Sequence, residues 1–218
     1  MCFSSEVSLI TFLIGIVGAY LTISLNTKTD KIIGYFLGFV ALMQIIEYFL
    51  WNHQVCDKFN KALSISGMIL NHLQPIVLGF LVLYFNESNK NKNKIYFILF
   101  IYIIVIIPYS FYFIRPGNFD CTLKDKNINN HLIWNWNSMN MGEFVYTIFT
   151  ISLASIAYFG FPTLRQGFFF SIVVIITFST SLIIYPSKVI GSLWCFYTIF
   201  ILFIYYILRK INIIRIKS

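Results

Sequence analysis

The sequence predicts an all-α fold, a polytopic membrane protein with seven transmembrane helices in one bundle, from three observations. Of its 218 residues 58% are hydrophobic and only 11% charged, far from the balance of a soluble domain. Seven apolar runs are long enough to cross about 30 Å of hydrocarbon as helices of roughly 20 residues. The runs are continuously apolar rather than alternating, which selects helices over a barrel, and lipid admits only those two solutions. The bilayer is therefore the first expected partner.

The first span is expected near Val7–Leu25. Ser4 or Ser5 suits its N-cap, with Glu6 at the positive end of the helix. The start lacks the positive n-region of a secretory signal, so the run reads as a retained span. Gly15 and Gly18 thin one face for close packing, as do Gly34 and Gly38 in the second span, Ile32–Trp51. The second span ends in Gln44-Ile-Ile-Glu47-Tyr-Phe-Leu-Trp51, with Gln44 and Glu47 on one face. The third span, Ile65–Phe85, carries Asn71-His72-Leu-Gln74-Pro75, where Pro75 deprives the Asn71 carbonyl of its helical partner. The fourth, Ile95–Ile114, is aliphatic and aromatic around Pro108. Spans five to seven fall at Glu143–Phe161, Phe168–Pro186 and Ile190–Leu208. Their hydroxyl residues read mainly as groups bonding back to helix carbonyls, with Ser179–Ser181 dense enough to line a cavity. Asn86–Lys94 reads as a solvated basic loop. The long loop Arg115–Gly142 holds His131, Trp134 and Trp136; its tryptophans suit the membrane interface, and its length suits a lid. His53 and His131 are expected to be the more exposed histidines. The whole chain forms one domain ending in a basic tail, 209–218.

The net charge of +8 resides in loops and tail rather than on one basic face, so no nucleic-acid partner is implied. With the N-terminus outside and the C-terminus cytoplasmic, ten Lys and Arg fall on inner segments and six on outer ones, which favours that orientation. All four cysteines then lie on the oxidising side, where disulfides form. Cys56 and Cys121, in facing outer loops, are expected to pair, leaving Cys2 with Cys195.

Glu47 and His72 are the titratable groups set well inside hydrophobic segments, and an intramembrane acid commonly faces a bundle interior or a wet cavity. Counted from the expected span ends, Glu47 lies about 6 Å deep and His72 about 10 Å, which would let them share one outward-facing polar site. Gln44, Asn71, Gln74 and Ser181 complete the candidate binding or proton-relay set. Its expected use is as a small-solute or proton carrier or channel-like protein. A membrane-embedded enzyme using Glu47 and His72 as acid and base or metal ligands, and a structural or assembly role, are the alternatives. No metal site is expected from spacing, and neither a cofactor nor the oligomeric state is readable.

The start Met1-Cys2-Phe3-Ser4, the Gln44–Glu47–Trp51 pattern, His72 with Pro75, His131 followed by Ile133, and Trp194-Cys195-Phe196 together resemble a family of small multi-pass membrane proteins. That family begins Met-Cys-Phe-Ser, has bacterial and viral members, and is known as a domain of unknown function. The similarity covers nearly the whole chain. It departs at Gln74, where the group often has Trp just before the proline, which bears on pocket shape. The resemblance implies a seven-span fold and assigns no activity.

Overall fold

The computed structural model describes residues 4–115, 121–125, 131–137, 142–184 and 190–211. Seven long helices account for most of them: α1 (Ser5–Ser24), α2 (Lys28–Asn52), α3 (Lys58–Phe85), α4 (Lys92–Ile114), α5 (Gly142–Gly160), α6 (Leu164–Ile184) and α7 (Ile190–Lys210). The first six, α1 through α6, are long and apolar enough to cross a membrane. One departure from an all-helical chain is a two-stranded antiparallel pair in the long loop, β1 (Lys124–Asp125) and β2 (His131–Leu132). Pro186 and Lys188, the start Met1-Cys2-Phe3 and the tail beyond 211 lie outside the described residues.

The helix ends follow their side chains. Ser4 caps α1 by accepting from the Val7 amide at 3.3 Å. Asn26, at φ 66°, turns the chain into α2, in the left-handed region that asparagine tolerates. There Thr27 and Asp30 form a reciprocal capping box, satisfying two otherwise orphaned amides. Asp57 caps α3 by accepting from the Asn60 amide at 3.0 Å. That cap starts α3 at Lys58, seven residues before the expected span, because two polar turns continue the helix beyond its apolar run.

Burial reverses the pattern of a soluble bundle. On α1 the buried stripe is Ser8, Thr11, Gly15, Gly18, Ala19 and Thr22, while Ile10, Leu13, Val17 and Tyr20 face outward. On α4 only Ile95, Tyr102, Ile106 and Phe113 are buried. Small residues inside and large apolar residues outside make sense where the surroundings are lipid and helices associate by close contact. The expected small-residue faces of α1 and α2 do pack this way. A Cβ built on Gly15 would stand 2.7 Å from the Ala41 Cβ, and one on Gly34 would stand 2.6 Å from Ile23 Cγ1. Helix α2 is central, packed against α1, α3 and α7, while α5 bridges α3, α4 and α6.

The segment Asn86–Lys94 is more than a solvated loop. Asn86 is buried, and its Nδ2 donates to the Gly160 carbonyl at 3.0 Å. The Nδ2 of Asn89 donates to the Phe159 carbonyl at 2.9 Å. These asparagines satisfy carbonyls that the end of α5 leaves without helical donors, a role that their low-complexity sequence hid.

Gly15→Ala is expected to destabilise the protein by about 2 kcal/mol through overpacking. Combined with Ala41→Gly, which removes the opposing methyl, the loss should be smaller than the sum of the two single losses. Denaturant unfolding of the four proteins measures this, and simple additivity would show that α1 and α2 do not touch there.

Candidate functional site

One end of the bundle is built by the long loop. Cys56, in the α2–α3 turn, and Cys121 are disulfide-bonded with their Cα atoms 5.4 Å apart, as their facing loops predicted. Around that bond, Asn60 Nδ2 donates to the carbonyls of His53 and Thr122 at 3.0 and 3.1 Å. The Thr122 amide donates to Asn60 Oδ1 and Ser64 Oγ, both at 3.1 Å. The Lys124 amide donates to Gln54 Oε1 at 2.8 Å. Further along the loop, the Tyr109 hydroxyl donates to the Trp136 carbonyl. The loop is thus bonded to α3 and α4 rather than lying free above them.

Trp134 and Trp136 are buried, at 0% and 1% exposure, so their rings pack inside the protein rather than on its surface. The reason is Gly67: a Cβ there would meet the Trp134 ring at 2.7 Å, so the bare backbone of α3 makes room for the indole. His131 is likewise buried at 2%, against the expectation that it is exposed, and lies in the strand β2, both of whose residues are buried. Burial pulls its imidazole pKa down to about 4. His53, half-buried, pairs with Asp57 at 2.9 Å. The Asn60 amide that Asp57 accepts, together with His53, holds that carboxyl below its usual range.

Beneath this cover the candidate residues Gln44, Glu47, Asn71, His72, Gln74 and Ser181 are all buried. The hydrogen bonds of His72, Gln74 and Ser181 run to different partners. His72 Nδ1 lies 2.7 Å from Ser110 Oγ on α4, and the His72 carbonyl accepts from the Tyr102 hydroxyl at 2.7 Å. The ring packs edge-on to Trp136, with centroids 5.4 Å apart. Trp136 stacks on Tyr146 of α5 at 6.1 Å, and the Tyr146 hydroxyl donates to Asn71 Oδ1 at 3.4 Å. Asn71, His72, Trp136 and Tyr146 therefore close a ring of contacts. Three of its nitrogens, Asn71 Nδ2, His72 Nε2 and Trp136 Nε1, have no hydrogen-bond partner among the described residues.

Gln74 faces elsewhere. It is two positions from His72, so about 160° away around the helix, and its Nε2 donates to Cys195 Sγ of α7 at 3.6 Å. Glu47 is close enough to Cys195 for the two to interact electrostatically. Counted from the helix ends either side of the 53–57 turn, Glu47 is five residues below Asn52 and His72 fourteen below Lys58. That offset places His72 about 13 Å deeper. The equal depth expected for the pair fails because α3 begins earlier than its apolar run. His72 makes no hydrogen bond to Glu47.

Cys195 is a buried free thiol, so the expected pairing with Cys2 is not formed. Its place inside the bundle beside Gln74, rather than at a helix mouth, explains this; Cys2 lies outside the described residues. Ser181 donates back to the Thr177 carbonyl at 2.9 Å and belongs to α6 packing. A cavity of about 50 Å³ lined by none of the ring residues lies between α2, α3, α5, α6 and α7, with an apolar lining that includes Ile33, Leu37, Leu78, Phe170 and Ile201. Among the described residues no group of three or more His, Cys, Asp or Glu converges to hold a metal ion.

The opposite end carries a constellation the sequence reading missed. Asp30, fully buried, accepts from Arg209 Nε at 3.1 Å and Nη2 at 3.0 Å, and from the Tyr205 hydroxyl. Thr27 Oγ1 donates to the same carboxylate at 2.5 Å. Such a forked pair is strong only when its remaining lone pairs are satisfied, which Tyr205 and Thr27 accomplish. Its signal was the Thr27-x-x-Asp30 capping pattern together with an arginine at the end of the last helix. Ser110, Tyr102 and Tyr146 were also missed, since an isolated hydroxyl in an apolar run carries no address.

No protein-family model, no curated protein and no solved structure matches this chain. What the site can do follows from its own geometry.

Between pH 6.5 and 4 the closed loop, with His131 neutral, binds fewer protons than an opened loop with an ordinary imidazole. Acidification therefore favours opening, and closure is regained as pH rises through that window. Hydrogen exchange across 121–137 should be slow at pH 7.5 and faster at pH 4.5 after correction for intrinsic rates. His131→Gln should abolish the difference, and equal corrected rates in the native protein would contradict a buried, neutral His131.

Proposed function

We propose that the chain is a seven-span integral membrane protein, N-terminus outside and C-terminus cytoplasmic, that carries a proton or small solute through polar groups at its disulfide end. The observation that carries this reading is Glu47, an acid with no exposed surface set far along the apolar run of α2 from the Arg209-paired Asp30. Such residues mark ion and proton paths in membrane proteins. The depth offset between Glu47 and His72 suggests two stations in series rather than one acid–imidazole pair, with the pinned loop as the cover on the outer side. The loop charges and the disulfide support the orientation, since cystines belong to the oxidising face.

A structural role has observations of its own. Asn71–Tyr146, Gln74–Cys195 and His72–Ser110 each tie α3 to a different helix, as polar groups do when they act as glue. An enzyme using Glu47 and His72 together has less support, because His72 Nδ1 is bonded to Ser110 and no hydrogen bond joins the imidazole to the carboxyl.

The test is proton flux into proteoliposomes, with a pH-sensitive dye inside and an imposed potential. Glu47→Gln should lower the flux by roughly 100-fold, the scale of a lost proton-transfer group, with the thermal unfolding temperature nearly unchanged. No flux above empty liposomes in the native protein, or a Glu47→Gln variant that simply unfolds, would favour the structural role. A fluorescent reporter fused after Ser218 should be protected from external protease in intact cells; its digestion would reverse the orientation.

A further inference from the structure

We propose that Asn71, His72 and Trp136 jointly hold one hydroxyl group, with His72 Nε2 as the acceptor of its proton. This deepens the reading above and rests on it only for placing the guest on a transport path.

The hydrogens around His72 can be counted. Ser110 has one hydroxyl proton, and its Oγ lies 2.8 Å from the Ile106 carbonyl, the back-bond usual for a helical serine. With that proton spent on Ile106, the contact from Ser110 Oγ to His72 Nδ1 at 2.7 Å needs its hydrogen from the ring. A neutral imidazole has one N–H, so Nδ1 carries it and Nε2 presents a bare lone pair. Ser110, bonded to Nδ1, and Trp136, packed edge-on, hold that ring in place, while Tyr102 bonds the main-chain carbonyl of the same residue.

The contact ring therefore offers one acceptor, His72 Nε2, and two N–H donors, Asn71 Nδ2 and Trp136 Nε1. All three are buried and lack a hydrogen-bond partner among the described residues, a condition that destabilises each group unless something satisfies it. A hydroxyl satisfies all three: its proton goes to Nε2 and its two lone pairs accept from the amide and the indole. A carboxylate or phosphate would set a lone pair against Nε2. An ammonium would leave both donors unmet, and an apolar guest would leave all three. The hydroxyl can belong to water or to an alcohol group on a larger solute. Ser110 and Tyr102 are positioning residues; they touch His72, not the guest.

The test uses full-length protein in lipid nanodiscs labelled with ¹⁵N-histidine, with the His72 signals assigned by their loss in His72→Gln. The expected spectrum shows a protonated Nδ1 and an unprotonated, hydrogen-bonded Nε2. Ser110→Ala should release the tautomer into a mixture. Ethanol and glycerol are titrated against dimethyl ether, which accepts but cannot donate. A saturable Nε2 shift with the alcohols alone assigns an alcohol guest, and Asn71→Leu or Trp136→Phe should weaken it about tenfold. An Nε2 already hydrogen-bonded in buffer and unmoved by any of the three assigns water. A protonated Nε2, or a bare Nε2 that no probe moves, overturns the proposal, and the spectrum of the native protein alone is enough to do so. The spectrum needs no transport. A hydroxyl-bound Nε2 in a protein without flux sinks the transport reading and spares this one, and the converse result does the reverse.

Discussion

The contact between the Trp134 indole and the bare backbone of Gly67 fixes how the rest of this end of the molecule is arranged. A side chain at position 67 would occupy the space of the ring, so α3 can accept the loop only where it carries glycine. The disulfide to Cys56 and the Asn60–Thr122 bonds hold the start of the loop over the same helix. With the start tied and the indole seated, Trp136 is brought against His72 and Tyr146. The buried His72 of α3 is thereby walled by the loop as well as by α4.

Burying polar groups in this way has consequences for what they can do. Each is costly unless bonded, and most here are: Gln74 to Cys195, His72 to Ser110, Tyr146 to Asn71. The remaining nitrogens around His72 set the chemistry of the site, because a partner must supply what they lack. At the other end the same constraint is met differently. Asp30 is surrounded by Arg209, Tyr205 and Thr27, so its charge is fully matched and that end holds α7 against α2.

Much of the architecture was legible in the sequence because the physics of lipid leaves few choices. Apolar runs of the right length must become helices, and Gly15, Gly18 and Gly34 on their faces indicate where helices approach. The Cys56–Cys121 bond was legible for a similar reason, since two cysteines in facing loops on one side of the bundle have few places to go. The depth of His72 was not legible. It depends on where α3 begins, and that is set by Asp57 capping two polar turns rather than by hydropathy. Cys195 was misread because proximity to a helix end along the chain says nothing about which way a side chain turns. Trp134 and Trp136 were misread because tryptophan favours the interface on average, whereas Gly67 offers a specific alternative. The bonds of Asn86 and Asn89 to the end of α5 join residues distant in sequence, and single-chain patterns do not encode such meetings; for the Asp30–Arg209 pair the pattern marked the two ends but not their meeting.

The loop is inserted into the helices rather than resting on them, and the chemistry around His72 depends on that insertion. Hydroxyl-radical footprinting of the full-length, oxidised protein in nanodiscs tests it most directly, with Trp194, buried at 1% exposure, as the internal standard. Trp134 and Trp136 are predicted to be protected as fully as Trp194, and Gly67→Leu to expose both. Oxidation of Trp134 and Trp136 in the folded protein as fast as in the denatured chain would contradict it.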